Sequence, residues 1–149
     1  MSAVGNAAAV ALLKTPGILG VVGTTRADGS PHAAPVWFRF DGEAIRIWTD
    51  EERVWVRNVR RDGRVSFSVH QNESPWTSVV IRGYATISPQ PLPQVMAEIE
   101  RISGRYLPAP QIPGYVAGWP QTRSIVTIEP RSMFVAQAFE DPVPGSRRG

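Results

Sequence analysis

Two periodicities run through this chain, and the shorter one dominates. Ile18 to Thr25 is a short, β-branched, apolar run, and Pro31 to Phe40, Ala44 to Thr49, Arg64 to His70, Ser78 to Ile87 and Ser124 to Phe134 carry the alternation of half-buried strands. Ala27-Asp28-Gly29-Ser30 turns the first strand into the second, and Asp41-Gly42 turns the second into the third, so the first three form a meander. In the second strand His32, Ala34, Val36, Phe38 and Phe40 share one face, while Pro31, Ala33, Pro35, Trp37 and Arg39 share the other. Prolines cannot donate to a ladder, so this strand is expected at an edge or a bulge, with backbone groups left for a ligand.

Helical spacing appears more sparingly. Leu92, Val95, Met96, Ile99 and Ile102 recur on one side of Pro91 to Leu107 and read as a core stripe. Residues 2–14 predict a short amphipathic helix that Thr15-Pro16-Gly17 ends. Ser103 to Thr122 is long, rich in proline and glycine, and carries Tyr106, Tyr115 and Trp119, the profile of a functional or mobile loop. Six strands and few helices, with 13 glycines and 14 prolines to turn the corners, predict a mainly β protein with short α segments, a small closed barrel rather than a βαβ sheet.

Composition narrows the chemistry more than the fold. The 149 residues show no internal break, so residues 1–140 are read as one domain and 141–149 as a disordered tail. There is no cysteine, which removes disulfides, thiolate catalysis and cysteine-based zinc sites, and the default compartment is the cytoplasm. No apolar run is long enough for a membrane span, and no signal peptide is read. The two histidines, His32 and His70, lack clustered carboxylates and do not make a metal site. No Gly-x-Ser-x-Gly elbow and no phosphate loop occurs. Nor is there a nucleic-acid motif, and a net charge of +3 is small for a nucleic-acid binder. No catalytic side chain is assigned, so any redox or transfer chemistry falls to a cofactor.

The candidate cofactor grip lies after the third strand. Thr49-Asp50-Glu51-Glu52 fits a capping box with Thr49 as N-cap, opening a helix of sequence EERVWVRNVRRDGR. At 100° per residue Arg53, Arg57, Arg60 and Arg64 fall on one stripe, with Val54, Trp55 and Val59 opposite. The stripe is either a solvated face or, because it starts at a strand-to-helix junction, a track for an anion. The five tryptophans are either core or the lining of a site for a flat ring.

Taken in order, the Asp-Gly-Ser-Pro-His turn, the Pro35-Val36-Trp37-Phe38 strand, the second Asp-Gly turn, Ile45-Arg46-Ile47-Trp48-Thr49 and Arg53-x-x-x-Arg57-Asn58-Val59-Arg60-Arg61-Asp62 resemble the pyridoxamine 5'-phosphate oxidase-like split barrels. Among these the chain is most similar, over about residues 10 to 135, to the flavin/deazaflavin oxidoreductases that use coenzyme F-420. The resemblance implies a six-stranded split β-barrel, a homodimer, and a cofactor held between subunits: F-420, or FMN as the alternative, or a flavin or haem merely stored. It implies hydride transfer from reduced deazaflavin to a small conjugated substrate, with solvent or a hydroxyl such as that of Thr49 supplying the proton. It places Pro35, Val36 and Trp37 beside the cofactor ring, Ile47, Trp48 and Thr49 against ring or phosphate, and Arg53 on the phosphate. Arg57, Asn58, Arg60 and Arg61 extend the strip, and Trp76 reaches in from the other subunit. The family's usual Arg-Ala-Lys is here Arg53-Val54-Trp55, an indole in place of a cation.

Overall fold

A computed structural model describes residues 6–89, 92–118 and 123–137 of the chain. The predicted tail, 141–149, lies outside the described residues, as do residues 2–5 of the first predicted helix.

That helix, α1, runs Ala7–Leu13, with the Asn6 side chain accepting the N–H groups of Ala8 and Ala9 as its N-cap. Strand β1 is Gly20–Thr25 and β2 is Pro31–Val36, joined by a turn in which Asp28 accepts from both the backbone and the hydroxyl of Ser30. The expected second strand then breaks. After Trp37 and Phe38 it resumes as β3, Arg39–Phe40, which turns through Asp41-Gly42 into β4, Ile45–Thr49. Asp41 accepts the N–H groups of Glu43 and Ala44, which tightens this second turn.

The break has a physical cause. Phe38 is fully buried, and its backbone is satisfied by side chains instead of a ladder: its N–H donates to the Tyr106 hydroxyl, and its carbonyl accepts from the Arg105 guanidinium. Helix α2 follows, Val54–Arg61, then β5, Arg64–His70, and β6, Ser78–Pro89. Helix α3 is Leu92–Ser103 and α4 is Ile112–Ala117, with a 3-10 turn at Ala109–Gln111 between them, before β7, Ser124–Ala136. The segment read as a loop over Ser103 to Thr122 is therefore helical in large part; residues 119–122, including Trp119, lie outside the described residues.

All seven strands form one antiparallel sheet in the order β2-β1-β5-β6-β7-β4-β3. Its two edge strands, β2 and β3, are consecutive in the chain with only Trp37 and Phe38 between them, a link of at most about 11 Å. The edges must meet, so the sheet curls on itself. Counting β2 and β3 as one broken strand, this is the six-stranded split barrel, mainly β with short helices. The two prolines of β2 sit on an edge strand, the first of the two arrangements the sequence allowed, and the β1–β2 register runs without a bulge.

The core fills the curl. Phe38 and Phe67 meet edge to face at 4.9 Å, surrounded by Leu12 and Leu13 of α1, Val22, Ile81 and Ile128 of the sheet, and Trp55, Val56 and Val59 of α2. The stripe of α3 is core as expected: Val95, Ile99 and Ile102 are buried, and Val95 and Ile99 pack with Ile125 in a second cluster that Met96, Tyr115, Val116 and Trp48 border.

Candidate functional site

Where β2 ends, β4 ends and α2 begins, a half-open cavity of about 140 Å³ is lined by Pro35, Val36, Trp37, Ile47, Trp48, Thr49, Arg53, Trp55 and Tyr115. Eight of the thirteen residues singled out in the sequence thus meet around one hollow. Alternation explains part of this: Ile47 and Thr49 of β4 turn inward and are buried, while Trp48 turns outward and packs toward α4.

The approach to α2 differs from the sequence expectation. Thr49 is not the N-cap; it ends β4, paired with Ser124 and buried, and its hydroxyl donates to the Asp50 carbonyl. The ladder holds it in the sheet, where it cannot reach a helix N–H. Asp50 organises the connection instead. It accepts the Glu52 N–H and, through its other oxygen, binds Arg53 Nε at 3.2 Å and Arg123 Nη1 at 3.3 Å. Arg53 is the N-cap position of α2, in extended conformation. Its side chain is 55% exposed, so the guanidinium stands at the cavity mouth beside helix N–H groups that have no intrahelical acceptor. Arg123 is almost wholly buried, its guanidinium 5.4 Å from the Trp48 ring. Two cations thus share one carboxylate oxygen here.

The rest of the arginine stripe is divided. Arg57 is exposed and makes no side-chain hydrogen bond or ion pair among the described residues. Arg60 pairs with Glu51, whose other oxygen accepts the Ser124 hydroxyl; that hydrogen bond, together with Arg60, holds the Glu51 carboxyl below its ordinary value. Arg61 donates to the Thr25 carbonyl and to Asn58. Arg64 is not in the helix, because Asp62 leaves helical conformation and ends it; Arg64 opens β5 and chelates Asp62, whose carboxyl it lowers to about 2. Asn58 is buried under α2, donating to Thr24 Oγ1, and faces the barrel rather than the cavity. Val54, expected to face inward, is half exposed, and Val56 is buried in its place. Trp55 is 4% exposed, at once core and cavity wall. Trp76 sits in the β5–β6 hairpin, 53% exposed with φ of 53°, at the opposite end of β6 from the residue that aligns with Ser124 and Thr49.

The residues that sequence reasoning left out of the site come from the segment after α3. Tyr106 stacks on Trp37 at 4.7 Å with an interplanar angle of 8°, and its hydroxyl donates to the Ile18 carbonyl at 2.6 Å. Burial, offset in part by the Phe38 N–H and by Arg105, raises the Tyr106 phenol above its ordinary value. Arg105 joins the carbonyls of Phe38, Leu13 and Thr15. Tyr115 reaches Trp37 at 5.4 Å and Trp48 at 6.2 Å. The aromatic residues of that segment were visible in the sequence, but nothing local said which of them reached the barrel. His32 and His70 do not line the cavity, and among the described residues no group of three or more histidine, aspartate or glutamate side chains forms a metal site.

Comparison with known proteins agrees with this architecture. The profile of the family described as pyridoxamine 5'-phosphate oxidase matches residues 6–135, most of the chain. The chain belongs to this family. Among solved structures, an F-420 reductase is similar with a TM-score of 0.68 and 28% identity, the match covering 83% of this chain and 94% of that one. A conserved hypothetical protein of Mycobacterium tuberculosis gives a TM-score of 0.75 at 24% identity, with 95% and 93% covered. The haem storage protein of Vibrio cholerae gives 0.63 at 16%, with 81% and 87% covered, a likeness of fold. Among the described residues no helix is long and apolar enough to cross a membrane.

Proposed function

We propose that this family member is an oxidoreductase that uses coenzyme F-420 to reduce a small conjugated substrate. The observation that carries the reading is the cavity itself, where one guanidinium at the start of a helix adjoins a wall of three aromatic rings. The donor set fits a planar ring with an anionic extension. Arg53, steadied by Asp50, would neutralise the phosphate, and Arg57 would extend the positive strip from it. Pro35 and Val36 belong to an edge strand, so their outer backbone groups are open to polar atoms of a ring, and Trp37, Trp48 and Trp55 exclude water from around it. When bound there, reduced deazaflavin supplies a hydride. With its hydroxyl committed to Asp50, Thr49 is a poor proton source, which leaves solvent for that role.

A cavity of about 140 Å³ is smaller than the roughly 300–1,000 Å³ of complete ligand pockets, which supports a site that a second subunit completes. The outer sheet face offers a surface for a second copy: Pro35, Val21, Ser68, Val80 and Phe134 align across five strands, with Phe134 68% exposed. The reading includes a homodimer, with Trp76 of one copy completing the cavity of the other. Light scattering that returned a monomer mass at micromolar protein would remove this part.

FMN is the second reading, favoured by one finding. Arg60 and Arg61 are engaged within the protein, which shortens the track available to a polyanionic tail and suits a cofactor ending in one phosphate. Titrating the purified protein with F-420, FMN and haem while following tryptophan quenching decides among the three. Micromolar F-420 with FMN at least tenfold weaker, about 1.4 kcal/mol, supports the proposal. Tight haem binding with neither flavin retained would make this a storage protein.

A further inference from the structure

We propose that the groove between α3 and the outer face of the sheet is a second ligand site, separate from the cofactor cavity, and that it binds a small organic carboxylate. Strand alternation creates its base. Ile45 and Ile47 of β4 turn into the core, so Arg46 between them turns out, opposite Thr127 of β7. Helix α3 packs on this outer face through Val95 and Ile99 against Ile125, and so brings Glu98 and Arg101 to the same hollow as Arg46. The hollow measures about 350 Å³, within the range of small-molecule sites, and shares no lining residue with the cofactor cavity.

Its two guanidiniums are held in place and only partly used. Arg46 Nε binds Asp41 at 3.1 Å, and its Nη1 donates to the Thr127 hydroxyl at 3.2 Å. Arg101 Nη1 reaches Glu98 at 3.3 Å. Glu98 is buried, and both of its oxygens are fixed by the fork of Arg39. Tying β3 to α3 needs only that pair, yet Arg101, 62% exposed, is a second cation on the same carboxylate. Among the described residues the Nη2 of Arg46 and the Nε and Nη2 of Arg101 have no protein acceptor. Three arginines, Arg39, Arg46 and Arg101, thus meet two carboxylates, Asp41 and Glu98. One ligand carboxylate balances the surplus charge, and a phosphate dianion would exceed it. The Ser88 and Thr127 hydroxyls and the Gln94 amide suit a hydroxylated body, with Ala97 and Ile125 against its carbon atoms.

The test uses the full chain in about 0.15 M salt, which screens unspecific attraction between exposed charges. Gluconate is the probe, sorbitol its uncharged analogue and glycerol 3-phosphate the phosphate-bearing alternative. Binding is read from the side-chain Nε–H NMR signals of Arg46 and Arg101. Gluconate should bind with a Kd of about 1 mM or tighter, and sorbitol about tenfold or more weakly than that. Arg101→Gln should weaken gluconate about tenfold or more, the scale of a charge-assisted hydrogen bond. Arg101→Lys, which keeps the charge and loses the fork, should weaken it about threefold or more. Arg101 is exposed in the last turn of α3, so both variants should fold as the parent chain does. Gluconate that leaves both signals unmoved at about 10 mM overturns the proposal, as does unchanged binding to Arg101→Gln. Loss of binding in Arg53→Ala and not in Arg101→Gln would place the probe in the cofactor cavity and overturn it too. Glycerol 3-phosphate binding more tightly than gluconate overturns the ligand class.

Discussion

Tyr106→Phe tests how the barrel is closed next to the cavity. The substitution removes one oxygen, which donates to the Ile18 carbonyl at 2.6 Å and accepts the Phe38 N–H at 3.2 Å. It leaves the ring stacked on Trp37. Two backbone groups lose a partner in a partly buried place, and each abandoned group costs about 1–3 kcal/mol when it stays dry. Since the site is only partly buried, the lower part of that range applies to each, for a total of about 2 kcal/mol. With a urea m-value near 2 kcal/mol/M for a domain of this size, the midpoint should fall by about 1 M. Tyr84→Phe, on an exposed tyrosine, is the control and should stay within about 0.5 kcal/mol. A second readout follows from the raised phenol of Tyr106, whose main cause is burial. The unfolded chain gives up this proton first as pH rises past the ordinary 10.0, so the stability it lends is present below that pH and declines above it. Tyr106→Phe should remove this part of the alkaline loss. A midpoint shift under about 0.25 M, or an unchanged alkaline limb, would refute the idea that this hydroxyl stitches Ile18 to Phe38.

Three further outcomes are expected. Arg53→Ala should weaken binding of a phosphate-bearing cofactor by about 1.5–3 kcal/mol in a fluorescence titration while stability changes by less than about 0.5, because its ion pair with Asp50 is exposed; Arg64→Ala should do much less, and equal losses would restore the solvated-face interpretation. Asp62, held at about 2 chiefly by hydrogen bonds from Arg64, contributes stability that is present above its ordinary 3.8 and lost as pH falls through about 2; acid titration of Asp62→Asn should lack that component. Gly83→Ala should cost about 1–3 kcal/mol in chemical denaturation, because its Cβ would lie 2.5 Å from the Glu129 carbonyl oxygen at the β6–β7 bulge, whereas Gly104→Ala, at 3.4 Å from its nearest atom, should be tolerated.

Strand identity, the two Asp-Gly turns and the edge position of β2 were legible in the sequence, because each follows from a local rule: alternation, positive-φ glycine, the missing N–H of proline. So was most of one wall of the cavity, since Pro35 to Trp37 and Ile47 to Thr49 stand at the ends of strands whose registers the turns fix. What the sequence left undetermined are the features set by distant segments. The capping-box pattern at Thr49 was present, yet pairing with Ser124, 75 positions away, claimed that residue for the sheet. The strand over 31–40 looked continuous, yet Arg105 and Tyr106 offered the Phe38 backbone better partners than a ladder did. The arginine stripe looked uniform, yet Glu51 and the Thr25 carbonyl engaged Arg60 and Arg61 and left Arg53 and Arg57 to face solvent. Tyr115 joins the site only because α4 folds back across Trp37 and Trp48. Local pattern fixes which way a side chain points along its own element; which partner it meets depends on packing between elements, and only the tertiary structure decides that.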